Sequence, residues 1–284
     1  MKTLPDDNNK NKNLKLVAAV CQLKVTDNKT NNLRNAQKMI EDSAARGADI
    51  IILPEMFNCP YDSSFFGRFS ESYPGETVNL LSRLASLHSV YVIGGSIPEL
   101  GGNRIYNTSY SFNRKGCLIG KHRKIHLFDV EIEGGISFKE SETITAGSEA
   151  TVIDTEFCKI GIAICYDMRF PELIRKMVLS GAKIIVVPAA FNMTTGPAHW
   201  HILARTRALD NQAYFIAASP ARDEKASYVA YGHSLVADPW GNIISEASDK
   251  EEIIFSEIDL DFIDKIREEL PLLKHRKEEV YKIK

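Results

Sequence analysis

Cys165, Glu55 and Lys124 are residues whose types can share one reaction: nucleophilic attack, proton transfer and stabilisation of developing negative charge. Cys165 closes the apolar run Gly161-Ile162-Ala163-Ile164 and leads into Tyr166-Asp167-Met168-Arg169-Phe170-Pro171-Glu172. The run reads as a buried strand, and Pro171 suits the first turn of a helix, where a missing N–H is harmless. The thiol therefore falls where a strand ends and a helix begins. Backbone N–H groups and the positive end of a helix dipole at that point are expected to favour a thiolate and to hold an oxyanion. A cysteine beside an apolar strand is ordinarily inert packing; the polar cluster Tyr166, Asp167 and Arg169 on the following connection argues for function.

Glu55 directly follows the apolar run Ile50-Ile51-Ile52-Leu53-Pro54, where partial desolvation would raise its pKa toward the range of a general base. The alternative is a solvated strand end. Lys124 lies in Lys121-His122-Arg123-Lys124-Ile125-His126-Leu127-Phe128, whose apolar continuation would draw the lysine inward from what would otherwise be a basic loop.

These residues need elements to position them. Strands are expected at Lys15–Leu23, Ile50–Leu53, Val90–Ile97, Lys159–Cys165, Ile184–Val187 and Tyr214–Ala218, alternating with helices at Asn31–Arg46, Thr77–Leu87, Pro171–Leu179 and Ala198–Asp210. Strands alternating with helices predict an α/β layered fold. Hairpins are expected through Asn113–Gly116 and Asp238–Gly241. The segment Gly47-Ala48-Asp49-Ile50-Ile51-Ile52-Leu53-Pro54-Glu55-Met56-Phe57-Asn58 echoes residues 181–192, with matching glycines, prolines and Phe-Asn pairs. Two related strand-helix-strand halves are inferred, making a two-sheet sandwich covered by helices in a single domain. Ligands of α/β sheets bind beyond the carboxyl ends of the strands, so Glu55 and Cys165 can face one pocket.

Bulk properties exclude other classes. The 284 residues, 44% of them hydrophobic, suffice for a large core, and a net charge of -2 with scattered Lys and Arg gives no nucleic-acid footprint. No apolar run approaches the roughly 20 residues of a membrane span. Five cysteines, irregularly spaced, fit reduced thiols better than a disulfide framework; a cytoplasmic location is expected, with a mitochondrial pool left open. Residues 1–13 read as a disordered tail and 14–284 as the folded domain. His199 and His201 stand two apart on a helix, too divergent to share a metal, and no metal or cofactor is expected.

Glu55 after Leu-Pro, Lys124 in His-Arg-Lys-Ile-His-Leu-Phe and Cys165 in Cys-Tyr-Asp-Met-Arg-Phe-Pro-Glu, in that order, resemble the nitrilase superfamily of carbon-nitrogen hydrolases. Residues 190–200, Asp210-Asn211-Gln212 and Ser219-Pro220-Ala221-Arg222-Asp223 are most similar to its omega-amidase branch. The resemblance implies an α-β-β-α sandwich, a homodimer and a Glu55-Lys124-Cys165 set. Glu140 matches the family's second glutamate, with Glu133 and Glu142 nearby as competitors. It further implies that Cys165 attacks an amide carbon, that Glu55 moves the proton, that Lys124 and the Tyr166 backbone N–H hold the oxyanion, and that Glu140 positions Lys124 and Glu55. The substrates implied are small α-keto dicarboxylic acid monoamides, α-ketoglutaramate and α-ketosuccinamate. Their carboxylate calls for a cation: Arg169 first, Arg222 second, with Phe191 and Thr195 as pocket walls. A salt bridge from Arg169 to Asp167 or Glu172 is the competing structural role. The sister branch acting on deaminated glutathione, and a catalytically silent binding protein of this fold, are the other readings.

Overall fold

The computed structural model describes residues 15–281. The tail expected over 1–13 lies outside the described residues. The chain opens with β1 (Lys15–Gln22), α1 (Lys29–Ala45), β2 (Ile50–Ile52), α2 (Ser63–Phe69), α3 (Glu76–His88) and β3 (Tyr91–Ile93). A meander follows: β4 (Ile97–Gly101), β5 (Arg104–Phe112) and β6 (Leu118–Arg123), then the small hairpin β7 (Asp129–Glu131) and β8 (Ser137–Lys139). The second half runs β9 (Thr151–Asp154), β10 (Lys159–Ile162), α4 (Pro171–Leu179), β11 (Ala182–Pro188), α5 (Gly196–Asn211) and β12 (Tyr214–Ala218). It closes with β13 (Leu235–Ala237), β14 (Ile243–Glu246), β15 (Glu252–Asp259) and α6 (Leu260–Glu269).

Two large sheets result. One has the order β15-β1-β2-β3-β5-β4, with β6 also on β5; the other runs β14-β13-β12-β11-β10-β9. In each, a parallel trio (β1-β2-β3, β10-β11-β12) is flanked by antiparallel strands, so the echo in the sequence is an echo in topology. Helices α1 and α3 cover the first sheet, burying Leu33, Ala36, Ile40, Leu81 and Leu84 against Ile51 and Val92. Helices α4 and α5 cover the second, with Ile174, Met177, Trp200 and Ala204 against Ile185 and Phe215. The opposite faces of the two sheets meet through Val20, Ile50 and Ile52 against Ile162, Ile184 and Val186. Alternation along each strand thus feeds two layers at once, and the four-layer α-β-β-α sandwich is what these buried, β-branched runs require.

The region Val90–Ile97, read as one strand, is two. Gly95 stands at φ +52, and a Cβ there would lie 2.0 Å from the Pro54 carbonyl oxygen. The chain must turn at a residue without a side chain, and the turn grips the segment after β2. Ser96 N–H donates to Pro54 O at 3.2 Å, and Met56 N–H donates to Ser96 Oγ at 3.0 Å. The strand expected over Lys159–Cys165 likewise ends at Ile162, because Cys165 begins a separate turn.

Candidate active site

Cys165 has φ +47, a left-handed conformation rare outside glycine and costly for a residue with a Cβ. A 3-10 segment, Cys165–Arg169, carries it from β10 into α4. Helix α4 starts at Pro171, as expected, and the 3-10 segment stands between it and the thiol. The Tyr166 N–H, in the first turn of the 3-10 segment, has no acceptor within it and remains a donor for an oxyanion. Burial raises the Cys165 pKa well above its ordinary value and the Glu55 carboxylate raises it further, while Lys124 and the Ala190 backbone N–H oppose them. Burial and the neighbouring carboxylate thus act against the thiolate that a helix dipole would favour, and a base stands beside the thiol.

Glu55 is delivered by the end of β2 and is 1% exposed. Its Oε1 accepts from Asn107 Nδ2 at 2.8 Å and from Lys124 Nζ at 2.9 Å. Its Oε2 is buried without an N–H or O–H donor, and the Cys165 thiol lies against this carboxylate. Burial pushes the Glu55 pKa up; the Lys124 charge pulls against it and the Glu140 charge supports it. A carboxyl with a raised pKa and one open oxygen facing a thiol can take its proton.

Lys124, read as drawn inward, is fully buried. Besides Glu55, its ammonium donates to Glu140 Oε2 at 2.8 Å and to Tyr61 Oη at 3.0 Å. Burial disfavours its charge, yet the Glu140 and Glu55 carboxylates together carry its pKa well above the usual lysine value. It stays cationic. Glu140 sits in a short 3-10 turn (Glu140–Glu142) and also accepts from Phe128 N–H at 2.7 Å and Asn107 Nδ2 at 3.2 Å. Glu133 and Glu142 are exposed, so burial selects Glu140 among the three.

Asp167 joins the lysine segment to the nucleophile turn. Its carboxylate accepts from the backbone N–H groups of Ile164 (3.0 Å), Ile125 (3.2 Å) and His126 (2.9 Å), and from His122 Nε2 at 3.1 Å and His126 Nδ1 at 2.8 Å. Burial works against its charge, but the hydrogen bonds from His122 and His126 hold its carboxyl well below the usual carboxylate range.

Arg169 is half-buried, and among the described residues it has no carboxylate partner; the salt bridge to Asp167 or Glu172 does not form. Its guanidinium lies 4.8 Å from the Phe191 ring centroid and 5.6 Å from that of Tyr166, and Nη1 donates to His199 Nδ1 at 3.1 Å. Desolvation lowers its pKa, against the pull of Cys165. Phe191 packs edge-on to Trp200, and buried Thr195 donates its N–H to Asn192 Oδ1 at the start of α5. Arg222 is differently placed: Asp249 (3.3 Å), Glu224 (3.8 Å) and the Tyr231 carbonyl (2.8 Å) occupy it. Its charge is spent within the fold, which removes the runner-up cation.

Three contributors escape motif reading. Tyr61 and Asn107 are polar groups converging on Lys124 and the two glutamates, and neither stands beside a recognisable catalytic residue in sequence. Tyr228 lines the same small cavity as Glu55, Tyr61 and Ala190 and donates to the Ala190 carbonyl. Its ring lies 4.7 Å from that of Tyr61, and Phe138 on β8 closes over both at 6.0 and 5.4 Å. Tyr61, Tyr228 and Phe138 thus make an aromatic-walled chamber beside Glu55 and the buried Lys124 ammonium, with the Cys165 thiol against the Glu55 carboxylate.

The sequence profile of the family described as carbon-nitrogen hydrolase matches residues 17–268. The chain is 49% identical to omega-amidase NIT2-B of Xenopus laevis, over 93% of this chain and 96% of that protein. It is 48% identical to omega-amidase NIT2 of Mus musculus with the same coverage, 93% and 96%. Among solved structures, Saccharomyces cerevisiae Nit3, described as a member of branch 10 of the nitrilase superfamily, superposes with a TM-score of 0.86 at 44% identity, covering 93% of this chain and 97% of that one.

Proposed function

Because this chain belongs to the carbon-nitrogen hydrolase family, we propose that it is an omega-amidase, releasing ammonia from the terminal amide of α-ketoglutaramate and α-ketosuccinamate. The observation that carries the reading is the meeting of Cys165 with the buried Glu55-Lys124-Glu140 cluster, with Arg169 unpaired by any carboxylate alongside. Cys165 Sγ attacks the amide carbon as its proton passes to Glu55. Lys124 and the Tyr166 N–H hold the oxyanion of the tetrahedral intermediate. The intermediate collapses as Glu55 returns the proton to the departing ammonia, leaving a thioester. Glu55 then deprotonates a water that attacks the thioester, and the dicarboxylate leaves with the thiol restored. Glu140 and Asn107 hold Lys124 and Glu55 in register; Arg169 receives the distal carboxylate, with Phe191 and Thr195 bounding the pocket.

Relatives named omega-amidase at 45% to 49% identity support this substrate class over deaminated glutathione, and the complete Glu-Lys-Cys set speaks against a silent binding protein. Ammonia release should be measured on a panel of α-ketoglutaramate, deaminated glutathione and a neutral short amide. Preference for the first supports the assignment; turnover of deaminated glutathione alone would move the protein to the sister branch, and turnover of none would make it a binding protein.

The homodimer is part of the same proposal, with α4 and the C-terminal segment as interface. Leu179, Val280 and Tyr281 are exposed apolar residues lining one groove there, which a second copy would cover. Sedimentation at working concentration checks it. Among the described residues no helix is long and apolar enough to cross a membrane, and all five cysteines are free. The free thiols support the cytoplasmic placement, which fractionation of cells would test.

A further inference from the structure

A second constellation lies outside the chamber. His201 on α5, His233 before β13 and Glu246 at the end of β14 come from three elements, and their ligand atoms all lie within 4.8 Å of one another. Glu246 Oε1 is 2.8 Å from His201 Nε2 and 3.1 Å from His233 Nδ1. No lysine or arginine pairs with Glu246 among the described residues. His199, two residues before His201, faces Arg169 instead, so the divergence expected of that pair holds and the ligand set is a different one.

We infer that His201, His233 and Glu246 form a binding site for a divalent zinc-class cation, separate from the catalytic centre. Two imidazole nitrogens and a carboxylate oxygen are the donor set that suits zinc, and unlike an all-oxygen cage they disfavour calcium and magnesium. In the metal-free protein the shared carboxylate oxygen accepts N–H from both rings. A cation replaces those two protons at the centre of the three atoms, and the protons shift to His201 Nδ1 and His233 Nε2 or to solvent. Neither of those outer nitrogens has a protein partner among the described residues. The three side chains are 32%, 27% and 35% exposed, which leaves an entry path and room for a water as fourth ligand.

The site is held rigidly before any ion arrives. His233 stands at φ +57, a left-handed conformation uncommon for a residue with a side chain, and its backbone is tied on both sides. Its N–H donates to Ser248 O at 3.0 Å, and its carbonyl accepts from Trp200 Nε1 at 2.6 Å. Trp200 is fully buried and immediately precedes His201. One buried indole therefore fixes both imidazole ligands, and Tyr231 packs on both rings at 6.0 and 4.5 Å.

The test uses full-length protein carrying Cys165→Ala, so that the catalytic thiol cannot hold metal, stripped with a chelator and titrated with zinc by calorimetry. One zinc per chain with micromolar or tighter affinity is expected, together with a rise in Tm. Cobalt should give the visible absorption of a four- or five-coordinate nitrogen-oxygen site. His201→Gln should weaken zinc at least about 10-fold, and His201→Gln combined with His233→Asn should remove it, Asn being tolerant of the left-handed backbone at 233. Glu246→Gln provides an independent loss should the double variant fold poorly. In the Cys165-containing enzyme all of these variants should still release ammonia, as should chelated wild type. Absence of binding by the parent up to millimolar zinc, or zinc affinity unchanged in the double variant and in Glu246→Gln, would overturn the assignment.

Discussion

At Cys165 the left-handed backbone, the burial and the neighbouring carboxylate act together: the thiol lies against Glu55, and burial with that carboxylate pushes its pKa up. Cys165→Ala should therefore abolish ammonia release without loss of fold, and Glu55→Gln should be nearly as severe. The double variant should be no slower than the worse single one, because groups that act as a unit lose their effect together. The raised Glu55 pKa places the acid limb of kcat/KM above the ordinary glutamate value of about 4.3, the active form being deprotonated, and the limb belongs to the Glu55-Cys165 pair. A pH-rate profile with its acid midpoint at or below that value would contradict a base desolvated in the chamber. Arg169 is the specificity prediction at this scale. Arg169→Lys replaces a planar fork with a point charge, so kcat/KM for α-ketoglutaramate should fall about 10-fold or more while a neutral short amide is little affected. Equal losses on both would mean that the guanidinium only packs on Phe191.

Elements meet at Asp167 and Gly95. Asp167 ties the residues flanking Lys124 to the turn that carries Cys165, so Asp167→Asn should lower kcat through displacement of Lys124 and destabilise the fold by roughly 3–5 kcal/mol, as expected when a buried, multiply bonded charge is removed. The sign of its pH effect follows from the lowered pKa. The stabilisation is complete above the unfolded-state value of about 3.9 and is lost as pH falls toward the folded one. Denaturant unfolding between neutrality and pH about 3 should accordingly show a shallower acid loss in the variant than in wild type; parallel curves would place the acid sensitivity elsewhere. Gly95→Ala puts a Cβ against the Pro54 carbonyl at a positive φ. It should destabilise by more than about 1–2 kcal/mol and reduce kcat, since the strand end that must move aside is the one presenting Glu55.

In the whole molecule, the chamber exists because two halves of related topology bring the ends of β2 and β10 to the same edge of the sandwich. Their separation is set by the layer between the sheets, where Ile52 and Ile162 belong to one buried cluster. Ile52→Ala should cost about 2–5 kcal/mol by transfer loss and cavity formation. Because it thins the layer beneath Glu55, kcat should fall more than KM rises. A stability loss with unchanged kcat would show that the helices and the Gly95 turn alone hold the catalytic edge.

What the chain determined by itself is local and periodic. The apolar runs ending at Pro54 and Cys165, the repeated Gly-Ala and Phe-Asn frames, and the helix-starting Pro171 suffice for the layered α/β class and for Glu55, Lys124 and Cys165 as candidates, because strand and helix periods are written in consecutive residues. Glu140 needed the family resemblance, and its burial beside Lys124 separates it from Glu133 and Glu142. Tertiary structure alone decided the rest. Tyr61 and Asn107 reach Lys124 and the glutamates from segments tens of residues away, a proximity no spacing encodes. The sequence ranks Arg169 ahead of Arg222 by its place four residues beyond Cys165, but only packing shows that carboxylates neutralise the second and leave the first without one. The thiol's protonation and the split of Val90–Ile97 likewise depend on distant partners: on Glu55 and the enclosing walls for one, and on the close approach of Pro54 to Gly95 for the other. Burial and charge pairing are sums over neighbours in space, and the fold is what selects those neighbours.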